Sequence, residues 1–329
     1  MKLVDFCSGS RVMVVAGKGG VGKTTVTASL AVAAARAGRN VLIVEVEGKS
    51  GLTAAFRDSS STGAASPASP RADAGSVEHV SEGNGASLDY DDVELSTHIR
   101  ARTLTPDAAL VEYLEDHGMR RISKRLAGSS ALDVVATAVP GMRDILVLGK
   151  IKQLEQRSDA DLIIVDAPAA GHAVSFLMSP AGLLDAVRVG PIRRQAEEVV
   201  AMLRDGARCQ VLLVTLPEET PINELIDTAY ALEDRVGVQL GPVIVNGCAA
   251  EPPQGQATST GSDTRLAAAL DAATAWARHR WSLQQHQINR LASRLALPQI
   301  HLPQLSTTSI NRDDVDVLAE AFVHGLEQL

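Results

Sequence analysis

The 329 residues are enough for one large domain or two small ones, and a hydrophobic content of 45% supplies a full core although aromatics make up only 3%. A net charge of −8 removes the basic surface that non-specific DNA binding needs and argues against a membrane-surface role, and no run reaches the ~18 apolar residues of a membrane span. Three widely spaced cysteines (Cys7, Cys209, Cys248) indicate neither a disulfide framework nor a zinc pair, and the N-terminus turns polar too quickly for a signal peptide, so the expected location is cytoplasmic.

Val12 to Val15 reads as a short buried strand. It runs into G-K-G-G-V-G-K-T-T, Gly17 to Thr25, where Gly17, Gly22, Lys23 and Thr24 satisfy the phosphate-loop pattern G-x-x-x-x-G-K-[ST]. Thr24 to Ala37 follows as a helix without Gly or Pro, stopped at Gly38. Strand, loop and helix N-terminus in that order turn the backbone N–H groups of Gly17, Lys18, Gly19, Gly20, Val21 and Gly22 and the positive end of the helix onto one anion. In such loops the lysine (Lys23) reaches the β/γ-phosphates and the hydroxyl (Thr24) binds Mg²⁺. Gly17, Gly19 and Gly22 also satisfy the dinucleotide pattern G-x-G-x-x-G, with Glu45 or Glu47 as its ribose acid, but that pattern has no use for Lys23-Thr24-Thr25. Lys18 is a second lysine where most such loops need one.

Asn40 to Val46 reads as the second strand. From Asp58 to Ser87, twenty of thirty residues are Ser, Ala, Gly or Pro, the composition of a disordered insertion. Structure resumes near Val93, with a strand in His98 to Leu104 and a helix from Thr105-Pro106 to His117. Met119 to Gln156 is helical in character and broken at Pro140-Gly141, so 105–156 reads as a helical subdomain within a single domain spanning 1–329. Strands are expected at Leu162 to Val165, Val211 to Leu216, Val243 to Val245 and Gln299 to Leu302, and helices at Ala277 to Leu295 and Asp313 to Leu326. Strands alternating with helices specify an α/β fold, a mostly parallel sheet with helices on both faces. Asp166, closing the strand at Leu162 to Val165, is the acid that a nucleotide site needs for its Mg²⁺. Gly171 permits close backbone approach, and His172 is a candidate for the γ-phosphate region.

The two-lysine loop, D-A-P-A-A-G-H-A-V-S-F-L at Asp166 to Leu177, and V-I-V-N at Val243 to Asn246 together resemble the ArsA family. That group holds the arsenite-pump ATPases and the ATPase that targets tail-anchored membrane proteins, within the deviant-Walker-A class of P-loop NTPases. A looser similarity lies at V-T-L-P-E-E-T-P-I-N-E, Val214 to Glu224. The V-E-V-E-G after the first helix is most like an actinobacterial branch whose members occur as paralogue pairs. The resemblance implies a Mg²⁺-dependent ATP hydrolase working as a homodimer or as a heterodimer with a paralogous subunit. Lys18 is then the signature lysine that reaches the partner's phosphates, Lys23 the loop lysine, Thr24 a Mg²⁺ ligand and Thr25 an α-phosphate contact. Asn246 would read the adenine edge, with Leu302-Pro303 beside the base.

Two departures qualify these implications. The family's D-P-A-H-x-L, whose Asp orients the attacking water, corresponds here to Glu47-Gly48-Lys49-Ser50-Gly51-Leu52, so Glu47 carries that role with one more methylene. A ~1 Å misplacement of a catalytic group can cost ~10²-fold in rate, which implies slow or partner-dependent hydrolysis. The C-x-x-C of the intersubunit zinc site is absent, the comparable region reading Ala277-Arg278-His279-Arg280-Trp281, and the cysteines do not fall in arsenite-binding contexts.

The alternative function is a nucleotide-gated chaperone or targeting factor for hydrophobic clients, with hydrolysis as a slow timer. Its groove would use Met119, Met142, Leu146, Met178, Leu183, Leu184 and Met202, although an apolar stripe at helical spacing is more often core. A partitioning ATPase is disfavoured by the acidic charge, and an arsenite-pump subunit by the cysteine placement.

Overall fold

The computed structural model describes residues 1–46, 51–57, 91–116, 118, 141–252 and 264–329. Glu47 and the segment 58–87 lie outside the described residues, as does most of the stretch between the helix at 106–116 and Gly141.

In chain order, α1 (Leu3–Gly9) precedes β1 (Val12–Gly17), α2 (Lys23–Arg36), β2 (Val41–Val46) and the short α3 (Gly51–Ala55). β3 (Val93–Ser96), β4 (Ile99–Leu104), α4 (Pro106–Asp116) and α5 (Met142–Arg157) follow. Then come β5 (Leu162–Ala169), α6 (Ala170–Ala186), α7 (Pro191–Arg204), β6 (Cys209–Thr215) and α8 (Glu219–Arg235). The chain closes with β7 (Gln239–Leu240), β8 (Val243–Cys248), α9 (Thr264–Arg294), β9 (Gln299–Pro303) and α10 (Arg312–Glu327).

The strands form one sheet in the order β3-β4-β2-β5-β1-β6-β8-β9, with β7 beside β6. Every residue of β1 and β2 is buried, as expected for strands covered on both faces. Their side chains alternate between two cores. Val12, Val14 and Ala16 point into a layer built by α5, α6, α7 and α8 with the end of α9, while Met13 and Val15 point into a layer built by α1, α2, α3 and α10. The expected parallel α/β sheet with helices on both faces is present.

Three details differ from the sequence reading. β3 runs antiparallel to β4 at the sheet edge, joined through a turn in which His98 takes φ 64°. Its four residues are exposed or only half-buried, so no apolar run announces it. α1 forms from a stretch whose polarity hides two buried residues, Phe6 and Cys7. Finally, α9 begins at Thr264, thirteen residues before the predicted start, because the added turns are Ala-rich and exposed rather than amphipathic.

Candidate functional site

The glycine loop between β1 and α2 is shaped by contacts that exclude side chains. A Cβ at Gly17 would lie 2.3 Å from the carbonyl oxygen of Val214 on β6, and Gly20 and Gly22 take φ of 83° and 89°. Those left-handed values are open to glycine with little strain. A Cβ at Gly22 would also meet the Asn246 amide at 2.3 Å. Asn246, in the second half of β8, donates from Nδ2 to the carbonyl of Val21 at 3.0 Å. The loop is thus held from the far side of the sheet's central strands.

Gly22 has no capping side chain, so the first turn of α2 directs backbone N–H groups and the helix dipole outward. Lys23 opens that helix with its side chain buried, its ammonium donating to the carbonyl of Lys18 at 3.1 Å. Thr24 donates its hydroxyl to Asp166 Oδ2 at 2.6 Å, which ties the helix to the end of β5. Asp166 is 1% exposed. A hydroxyl and a carboxylate in contact are hard oxygen donors of the kind Mg²⁺ accepts, alongside water and phosphate. No group of three or more His, Cys, Asp or Glu able to hold a metal occurs among the described residues, so a cation here would draw its remaining ligands from phosphate and solvent.

Thr25 lies in the same first turn, half-buried, its carbonyl accepting from Ser29 Oγ at 2.8 Å. Pro303 ends β9 beside β8, in register with Cys248, and so shares an edge with Asn246. Gly19 and Gly20 form the exposed tip of the loop. The loop, Asp166, Asn246 and Pro303 therefore gather at the C-terminal ends of the parallel strands, the usual place for ligands in such sheets. Glu47 and the side chains of Gly171 and His172 lie outside the described residues.

Tertiary packing brings two further acidic residues, Glu224 and Glu45, toward the loop. Lys18 forms an ion pair with Glu224 of α8, 2.6 Å apart, the side chains 38% and 42% exposed. Glu224 closes the segment Val214 to Glu224 that carried the looser family similarity, but its reach to the loop depends on how α8 packs. Glu45 is 1% exposed, stands directly across from Asp166 in the β2–β5 register and accepts from Thr103 Oγ1 at 3.4 Å. In sequence it was one of two acids at a strand end; only the register sets it beside the Mg²⁺-type pair.

Residues 12–128 match the family described as the CobQ/CobB/MinD/ParA nucleotide binding domain. The chain is 32% identical over 258 residues to the ATPase BagA of Mycobacterium tuberculosis, an alignment covering 73% of this chain and 65% of that protein. It is 23% identical over 246 residues to the arsenical pump-driving ATPase of Escherichia coli, covering 70% and 38%, and 25% identical over 189 residues to the ATPase get3 of Schizosaccharomyces japonicus, covering 55% and 50%. The chain is thus similar to a mycobacterial ATPase and, at lower identity, to ArsA-type ATPases. It matches a little under two thirds of the length of BagA.

Burial pushes Cys7 up to about 11 and Cys209 and Cys248 up to about 12, so all three remain neutral thiols near pH 7. Among the described residues no helix is long and apolar enough to cross a membrane.

Proposed function

We propose that the protein hydrolyses ATP in a Mg²⁺-dependent manner within a dimer, and that nucleotide state controls how the two subunits meet. The observation that carries this reading is the Thr24–Asp166 pair at 2.6 Å beside the buried Lys23, at the mouth of a loop in which Gly17 and Gly22 leave no room for a Cβ. Lys23 and the loop amides hold the β- and γ-phosphates, Thr24 and Asp166 hold the Mg²⁺, and Thr25 contacts the α-phosphate. Bound Mg²⁺ neutralises charge developing on the transferred phosphoryl group. Water attacks the γ-phosphorus in line, the bond to the bridging oxygen breaks, and ADP and phosphate leave. Glu47 is the proposed water-orienting carboxylate, its extra methylene making turnover slow.

Lys18 is proposed to act on the partner's nucleotide. To do so its ammonium must first leave Glu224, so the pair sets a small barrier to closure. Asn246 serves the loop through Val21, and its unused carbonyl oxygen is the group available to an adenine amino group, with Pro303 along the base.

The client-groove reading is less supported, because Met142, Leu146, Leu183 and Met202 are buried in the core, with Met178 and Leu184 packed against it. Met119 lies outside the described residues.

Phosphate release from ATP, followed with and without Mg²⁺, tests the proposal. Wild type should turn over slowly with Mg²⁺ and lose activity in EDTA, and Asp166→Asn should retain at most a small fraction of the rate. Full activity in Asp166→Asn would overturn the site.

A further inference from the structure

Away from the nucleotide loop, the helical layer borders an open cleft of about 630 Å³ between α4, α5 and α7. Leu146, Gly149, Gln153 and Gln156 bring one face of α5 to it at helical spacing, so the cavity lies where an α-helix usually presents core side chains. Here it presents charge. Four cations, Lys150, Lys152, Arg157 and Arg194, line it against two carboxylates, Glu112 and Glu198.

The pairing is uneven. Lys150 is ion-paired to Glu112 and Lys152 to Glu198, and the two lysine side chains are only 10% and 13% exposed. That uses both acids. Arg157, in the last turn of α5, and Arg194, in the first turn of α7, are exposed at the mouth and make no ion pair among the described residues. Withdrawing lysine ammoniums from water is costly, and packing alone would favour apolar side chains at these positions. Burial raises the Tyr113 phenol, which keeps a neutral hydroxyl donor at the wall. Gln195 packs closely over Gly149, where an added Cβ would fall 1.7 Å from its amide, so the cavity floor has no room for a larger residue.

We infer that this cavity binds a small organic anion carrying two phosphate or carboxylate groups, with Arg157 and Arg194 each engaging one of them. A guanidinium meets either group through paired N–H donors, and two of them on facing helices select a ligand with two anionic ends. The volume suits a metabolite-sized molecule. Such a ligand would bridge α5 and α7 at a site separate from the nucleotide loop.

Calorimetric titration of the ADP-saturated protein tests this, since ADP occupies the other anion site. Fructose 1,6-bisphosphate serves as the phosphate probe and citrate as the carboxylate probe. At least one should bind saturably, and Arg157→Ala/Arg194→Ala should weaken it about tenfold or more while ADP affinity stays unchanged. The arm that binds identifies the anionic group. Arginine modification by phenylglyoxal, mapped by mass spectrometry, gives a second readout on the unmutated protein: the bound probe should protect Arg157 and Arg194. Absence of binding by both probes, or binding indifferent to the double substitution, overturns the inference. Loss of ADP binding in the wild type would instead count against the nucleotide site, so the two failures are distinguishable.

Discussion

Lys18 and Lys23 are five residues apart, yet their surroundings differ. Lys23 is buried against the loop backbone, whereas Lys18 is half-exposed and held by Glu224. Lys23→Ala should therefore abolish nucleotide binding in an equilibrium assay with a fluorescent ATP analogue. Lys18→Ala should bind it normally and lose most turnover, and normal turnover would remove the proposed role on the partner's nucleotide. An exposed ion pair contributes only ~0.2–1 kcal/mol, so Glu224→Gln should ease nucleotide-driven dimerisation by no more than about fivefold. The thiols give a pH prediction. Cys7, Cys209 and Cys248 are raised by burial from the ordinary value near 9 to about 11, 12 and 12, so between those limits the folded chain retains protons that the unfolded chain has released. Stability is unaffected below about pH 9 and falls as pH rises toward 12. Urea midpoints measured from pH 8 to 10.5 should decline, and by less in Cys7→Ala if that substitution packs without a void.

At the scale of elements, α5 is fastened to the start of the sheet by a charged clamp. Arg208, at the entry to β6, makes two bonds to the Glu155 carboxylate, at 2.8 and 3.1 Å. Arg11, just before β1, donates to the carbonyls of Glu155 at 2.6 Å and Ser158 at 2.8 Å. Arg208→Ala would leave Glu155, whose side chain is 10% exposed, without its counter-charge. The expected loss is about 2 kcal/mol, below the ~3–5 kcal/mol of a fully buried pair because Arg208 is 28% exposed, and urea denaturation would measure it. None of this could be read from the chain: Arg11, Glu155 and Arg208 carry no spacing that links them. The buried strands could, because Val12 to Val15 and Leu162 to Val165 face two cores and must be apolar throughout. β3 could not, since an exposed edge strand has no such requirement. The site divides the same way. Gly17 to Thr25 and Asp166 were legible as local motifs, whereas Glu224 and Glu45 approach the loop only through helix packing and strand register.

For the whole molecule, the two layers separate the tasks. The loop's helix α2 packs with α10 on one face, while α5, α6 and α7 build the other, where α4, α5 and α7 frame the cationic cleft. If ATP with Mg²⁺ drives dimerisation, light scattering after size exclusion should show the mass doubling with a non-hydrolysable analogue and returning in ADP. A constant mass across nucleotide states would refute the switching dimer.

The junction of β5 with α6 gives that switch a mechanical character. β5 ends at Ala169 and α6 begins at Ala170, with no linker between them. The carboxylate that grips Thr24 is thus four residues from the start of a helix that packs against α5, α7 and α8. A loop would absorb a small displacement of Asp166 as backbone flexing; a strand fused to a helix has no such slack. Under the proposed mechanism, Asp166 and α6 would act as the short and long arms of one lever, carrying a displacement at the γ-phosphate to the helical layer.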